Sequence, residues 1–239
     1  MRLFTFTIDI NDILFGDPSS VFHVLTESER QLFRERMEVR KYRKGEYICR
    51  TGDTPEGLYC MISGTAKIIR ESADGREYLY RMTLPNGLLG YLALFADQIY
   101  GASAKAIEDS AVVIIDRETL YSLLHTNSEL SFRFIKSLST EMSFSYFRTM
   151  TLTQKQMPAR LAETLLFLRD TYGFEDDGAT LKIRLPREDI ANLSNMTTSN
   201  AIRTLSLFAG EKLIGLDRKS IKLLDIAGLE EMSKGQYKL

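Results

Sequence analysis

The chain has 239 residues, 44% of them apolar, and a formal net charge of −1. That length allows one large or two modest domains with sizeable cores, and the near-neutral charge excludes a surface coated in basic residues, so any nucleic-acid contact has to be local. No stretch approaches the roughly 18 apolar residues of a membrane span, Met1–Ile10 lacks the basic leader and apolar core of a signal peptide, and the only cysteines, Cys49 and Cys60, suggest a reducing, cytoplasmic setting without disulfides.

Residues 19–40 are expected to be helical, because Thr26 and Glu29 have capping-box spacing and Leu32, Phe33, Arg36 and Met37 follow at helical intervals. From Val39 to Asp116 short apolar runs alternate with glycine-marked turns, including Gly57–Ile62, Ala66–Ile69, Tyr78–Met82 and Ala111–Ile115. Asp74-Gly75 between two such runs predicts a hairpin turn. Many short strands at this spacing predict a sandwich or barrel. Cys49 and Cys60 are expected on strands as small buried hydrophobes.

A short helix is expected over 117–125. No glycine or proline occurs from Ser128 to Gln156, which permits one helix roughly 40 Å long at about 1.5 Å per residue. Its apolar residues include Leu130, Phe132, Phe134, Ile135, Leu138, Met142 and Tyr146, spread over more than one stripe. Such a helix needs cover on more than one face. One face can lie on the barrel, and Phe134, Ile135, Leu138, Met142 and Tyr146 are candidates for a homodimer interface. Met157-Pro158 breaks the run, so the expected domains are 1–126, a linking dimerisation helix over 127–157, and 158–239.

Beyond Pro158, Leu161, Leu165, Leu166 and Leu168 predict an amphipathic helix ending near Tyr172-Gly173, and Leu181–Leu185 alternates as a strand would. Residues 186–208 predict two short helices joined by a tight turn. Pro186 suits the first position of the first helix. Asn195 tolerates a left-handed turn, and Thr197 caps the second helix. Ala201 and Leu205 are expected to be buried, with Thr198, Ser199, Asn200 and Arg203 pointing outward. A helix that begins with small polar residues can bring its N-terminal end to base edges in a major groove. Leu213–Leu216 and Ile221–Leu224 predict a hairpin around Asp217–Ser220, a wing. Residues 182–222 hold eight Lys/Arg against four Asp/Glu, the local excess that phosphate contact needs. The tail after Gly228 is polar and is expected to be loosely held.

The ordered set of motifs resembles the Crp/Fnr family from Val39 to Leu224. Ile48–Gly64 is similar to the first signature of the cyclic-nucleotide-binding barrel, departing from it at Pro55 and Cys60, and Leu89-Gly90 opens the second. Leu161–Leu166 resembles the first helix of the family's DNA-binding domain. The resemblance implies an α+β fold: an N-terminal cyclic-nucleotide-binding-like β-barrel of jelly-roll type, a long dimerisation helix and a C-terminal winged helix-turn-helix. It implies a transcription regulator with double-stranded DNA, a near-palindromic operator and RNA polymerase as partners. Arg187 then matches a phosphate-contacting position and Arg203 an arginine that reads guanine, while Ser199 replaces a base-reading glutamate. Arg218 and Lys219 at the wing tip complete the candidate DNA-binding set with Thr197, Thr198, Ser199 and Asn200.

The family's cyclic-nucleotide pocket relies on a glutamate and an arginine. Tyr91 stands at the glutamate position and Tyr100, or Gly101, at the arginine position, and no Arg or Lys lies between Tyr91 and Ala104. A buried phosphate without a cation is costly, so cAMP binding is not expected. Tyr91 and Tyr100 either fill the pocket or line it, with Leu92, Gly101 and Ala102, for a less anionic effector. Two cysteines cannot supply the four thiolates of an iron–sulfur cluster. No cofactor is expected. Haem is the alternative, with His23, His125, Met142, Met150 or Met157 as axial ligands.

Two rival classes are weaker. An enzyme is disfavoured because the only histidines lie 102 positions apart and no nucleophile elbow, metal-spaced cluster or phosphate loop occurs. A ligand-binding regulatory subunit would carry no helix-turn-helix or wing.

Overall fold

The computed structural model describes residues 10–71 and 77–235, without the side chains at 144, 147, 148 and 150–154. The turn predicted at Asp74-Gly75 lies outside the described residues. The chain divides into two compact units, with the boundary between Glu141 and Met142.

The first unit is built on strands β1 (Glu38–Tyr42), β2 (Tyr47–Cys49), β3 (Gly57–Ser63), β4 (Ala66–Glu71), β5 (Glu77–Thr83), β6 (Leu88–Leu89), β7 (Ser103–Ala106) and β8 (Ser110–Asp116). They form two four-stranded antiparallel sheets, ordered β1-β8-β3-β6 and β2-β7-β4-β5. The spacing predicts a sandwich or barrel, and the two sheets packed face to face are the sandwich. β3 and β8 read as unbroken apolar runs because both of their faces are covered. Tyr59, Met61, Val112 and Ile114 pack with Ile48, Ala66 and Ala104 of the other sheet. Leu58, Cys60, Ile62, Val113 and Ile115 face the helices instead.

Those helices come from both ends of the unit. The expected helix over 19–40 is shorter and divided. A single 3-10 turn, Val21–Val24, precedes α1 (Glu27–Arg36), and β1 begins at Glu38. The Thr26–Glu29 capping box is present and fixes the start of α1. Helical spacing continues past Arg36, but the pairing of Glu38 with Ile114 and Val39 with Val113 draws the chain into the sheet. α2 (Tyr91–Phe95) and α3 (Arg117–Thr126) follow.

α4 (Ser128–Gln154) is continuous. Asn127 starts it by accepting from Leu130 N–H at 2.9 Å, while its amide donates to Val24 O and Glu29. At about 100° per residue, Leu130, Phe134, Leu138 and Glu141 share one stripe. Leu130 and Phe134 are buried in the core beside Phe22 and Phe95, and Leu138 leans on it. Phe134, a candidate for the dimer interface, is therefore packed inside its own subunit at 3% exposure. About a third of a turn away lie Phe132, Ile135, Met142 and Tyr146, which are 55–67% exposed.

In the second unit, α5 (Met157–Tyr172) begins with Pro158 in its first turn. α6 (Arg187–Leu193), α7 (Thr198–Gly210), β9 (Ile214–Asp217), β10 (Ser220–Leu223) and α8 (Ile226–Ser233) follow. Two expectations are corrected. Leu181–Leu185 is not a strand: Thr180 makes a single bridge to Lys222 of β10, and Leu181 a single bridge to Phe174, which lies outside the sheet. Its alternation reflects Leu181 and Leu185, both buried anchors of an irregular segment that runs into Pro186. The tail predicted to be loose after Gly228 is ordered over its described part, 229–235, since Asp225 caps α8 and Leu229 and Met232 are buried, and residues 236–239 lie outside the described residues.

Candidate DNA-binding surface and effector cavity

The helix-turn-helix has the predicted geometry with one local difference. Pro186 is the cap residue of α6 rather than its first helical residue. Asn195 adopts φ 49° in the turn, where its short polar side chain tolerates the left-handed region. The Thr197 hydroxyl accepts from Asn200 N–H at 3.2 Å and starts α7. Ala201, Leu205 and Phe208 anchor α7 at no more than 1% exposure. Thr197, Thr198, Ser199 and Arg203 are exposed and Asn200 is half-buried. Arg203 Nη2 donates to Asn200 Oδ1 at 3.1 Å, so the guanidinium is held over the first turn of α7 rather than free to sweep.

The wing is tighter than expected. Asp217 pairs with Ser220, leaving Arg218 and Lys219 as a two-residue turn with Arg218 at φ 50°. Arg187 is not an extended surface cation. Its Nη2 donates to the Arg218 carbonyl at 2.7 Å, Nη1 is buried without a partner among the described residues, and burial holds its pKa below the usual arginine value. It braces the wing turn against α6, a role that sequence spacing did not signal. Arg218 and Lys219 are exposed.

The first unit holds a cavity of about 600 Å³ beside α2, lined by Tyr91, Leu92, Tyr100, Gly101 and Ala102 as predicted. The tyrosines do not fill it. Nor does it lack cations, because Arg70 from β4 and Arg81 from β5 reach it along with Glu141 of α4. These positions lie outside the Tyr91–Ala104 stretch, so a search confined to that stretch could not find them. Tyr91 Oη donates to Glu141 Oε2 at 2.9 Å, and Arg81 Nη1 stands 3.5 Å from the same oxygen. Arg81 Nη2 also donates to Leu88 O at 3.0 Å. Burial pushes the Tyr91 phenol well above its ordinary pKa.

Tyr100 is 4% exposed and its hydroxyl has no hydrogen-bond partner among the described residues. Its ring lies against Gly90, which sits at φ 76°, and an added Cβ there would meet Tyr100 Cε1 at 2.7 Å. Gly90 is thus required both for its left-handed backbone and for the close approach. A buried unpaired hydroxyl costs about 1–3 kcal/mol. Tyr100→Phe is therefore expected to leave thermal stability unchanged or to raise the melting temperature. A drop of several degrees would show that the hydroxyl has a partner in solution.

Haem does not fit this cavity, whose lining contains neither histidine nor methionine. His23 Nδ1 is engaged by Phe15 O at 2.8 Å, and His125 is exposed on α3. Met142 is exposed, Met157 is half-buried, and the side chain of Met150 lies outside the described residues. Cys49 and Cys60 are buried on strands, and burial pushes their thiols up to about 11 and about 12. Among the described residues no group of three or more His, Cys, Asp or Glu could hold a metal ion, and no helix is long and apolar enough to cross a membrane.

A jelly-roll unit with a half-open cavity, followed by a winged helix-turn-helix with an exposed polar recognition face, defines a DNA-binding transcription regulator. Residues 39–127 match the cyclic nucleotide-binding domain and residues 159–232 the Crp-like helix-turn-helix domain. The chain is 30% identical to the anaerobic regulatory protein of Bacillus subtilis over 180 residues, 74% of this chain and 76% of that protein. It is 27% identical to the CRP-like cAMP-activated global transcriptional regulator of Mycobacterium tuberculosis, over 87% of this chain and 93% of that one. The fold is shared with FixK2 from Bradyrhizobium japonicum (TM-score 0.73, 20% identity, 82% of this chain and 96% of that one). It is also shared with CooA from Carboxydothermus hydrogenoformans (TM-score 0.76, 18% identity, 91% and 97%). The chain belongs to the Crp/Fnr family of transcription regulators.

Proposed function

We propose that the protein acts as a homodimer on a near-palindromic operator, contacts RNA polymerase there, and responds to an effector other than a cyclic nucleotide. In this reading residues 1–126 form the sensor domain, 127–157 the dimerisation helix and 158–239 the DNA-binding domain. Thr197, Thr198, Ser199, Asn200 and Arg203 face the major groove, while Arg218 and Lys219 grip phosphate and Arg187 holds the wing that carries them. The observation that carries the proposal is the first turn of α7, small and polar, with Arg203 pre-positioned by Asn200. Genomic DNA fragments bound by the purified protein should be enriched in two half-sites related by a two-fold axis and about one DNA turn, ~34 Å, apart. Recovery of DNA without a common sequence would remove the sequence-specific reading.

Cyclic nucleotides are poor candidates because the one carboxylate of the cavity lining would have to serve two purposes. A cyclic nucleotide needs an acceptor for its ribose hydroxyl and a cation for its phosphate. The only carboxylate in the cavity lining, Glu141, already accepts from Tyr91 and faces Arg81, so it is not free to accept from a ribose hydroxyl. Calorimetry with millimolar cAMP or cGMP is expected to show no binding. A micromolar dissociation constant would overturn this part of the proposal.

A further inference from the structure

The cavity beside α2 carries two arginines and one carboxylate, so with nothing bound its charged lining is net positive. Arg70 has no ion-pair partner among the described residues. The other arginine, Arg81, faces Glu141 at 3.5 Å, longer than a well-formed charge-assisted hydrogen bond. Glu141 is held more firmly by the Tyr91 hydroxyl, at 2.9 Å. The two side chains of the ion pair are only 24% and 17% exposed, so their charges are poorly screened and sensitive to a competitor. Away from this polar end the walls are apolar. Leu92 and Ile99 stand at 48% and 59% exposure among the lining residues, a larger apolar display than a fully packed cavity would leave.

We infer that this cavity binds a small, largely apolar monocarboxylate whose acid group takes the place of the Glu141 carboxylate on Arg81 and Tyr91 and is drawn in by Arg70. The inference rests on the reading of the cavity as an effector site. Glu141 is the internal stand-in for the ligand's acid group: it neutralises Arg81 while the cavity is empty of anion and is displaced when one enters. Arg81 and Tyr91 belong to β5 and α2, whereas Glu141 belongs to α4. Exchange of one carboxylate for the other therefore releases a bond between the sheet-and-α2 wall and the long helix. A neutral amide offers Arg81 no charge. A cationic amine would meet two arginines. An extended apolar body suits the walls.

The test uses the full-length protein and three probes of equal chain length: octanoate, octanamide and octylammonium, titrated by calorimetry. Octanoate is expected to bind, octanamide about tenfold or more weaker, and octylammonium not at all. Glu141→Gln keeps an oxygen to accept from Tyr91 and removes the competing charge, so it should tighten octanoate about tenfold. Arg70→Gln, at an exposed position without an ion-pair partner among the described residues, should weaken it severalfold. Melting curves of both variants establish that they fold. Equal binding of octanoate and octanamide, absence of octanoate binding to folded protein, or unchanged octanoate affinity in folded Glu141→Gln would each overturn the inference. DNA affinity with and without octanoate is a separate readout. If octanoate binds as expected but leaves DNA affinity unchanged, the ligand assignment stands and the effector reading falls.

Discussion

Replacing Arg203 with alanine is expected to weaken the best DNA site by about 1–3 kcal/mol, the discrimination a bidentate arginine–guanine contact supplies, while affinity for random duplex falls far less. Arg203 is on the exposed side of α7, opposite Ala201 and Leu205, and its guanidinium is steadied by Asn200. Steadying matters because a planar fork already aimed at the groove loses less side-chain freedom on binding. Asn200→Ala should accordingly reproduce part of the loss. Arg218→Ala and Lys219→Ala should lower specific and random affinity by similar factors, each reducing the salt dependence by about one phosphate contact. Arg187→Ala should behave like damage to the wing turn, with a loss not confined to one phosphate. Titrations on specific and scrambled duplexes at several salt concentrations separate these cases. Equal loss on both duplexes for Arg203→Ala would make Arg203 a phosphate clamp and pass base reading to Thr198, Ser199 and Asn200.

Met142→Glu is expected to convert the protein from dimer to monomer at micromolar concentration. The exposed stripe of α4 places Phe132, Ile135, Met142 and Tyr146 in one band, and in a two-fold dimer each substituted position occurs twice in one interface. Two uncompensated carboxylates buried there cost several kcal/mol, on the order of 3–5 for a buried charge without a partner, enough to raise the dissociation constant about a hundredfold or more. Thr140→Glu, exposed but on another side of the helix, is the control and should stay dimeric. Sedimentation velocity reads both. A dimeric, folded Met142→Glu protein would locate the interface elsewhere.

Much of this architecture is legible in the sequence because its signals are local. The Thr26–Glu29 box, Pro158 at a helix start, the left-handed Asn195 and the Thr197 cap are each decided by a few adjacent residues. The misreadings are tertiary. Helical periodicity around Met37 yields to strand pairing with β8. Leu181–Leu185 alternates without a strand partner along its length. The polar composition of the last segment conceals Leu229 and Met232, which are buried. Phe134 and Ile135 are neighbours in sequence yet face different surroundings, a distinction that apolarity alone cannot draw. At the cavity, the decisive cations come from β4 and β5 rather than from the segment around Tyr91, so their convergence is a property of the folded sheet. Arg187 was equally opaque, because its partner is a backbone carbonyl 31 residues away.

The two native thiols have a practical consequence for how this molecule can be studied. Cys49 and Cys60 are 9% and 2% exposed, and burial keeps both protonated at neutral pH, so maleimide and methanethiosulfonate reagents find little thiolate to attack. A single cysteine introduced on α4 away from the band assigned to the dimer interface, at the exposed Thr140 for example, would then be the one rapidly labelled position in the natural background. Spin labels or fluorophores could report distances across a pair of subunits, with and without DNA, without first replacing either native cysteine and disturbing the strands they help to pack.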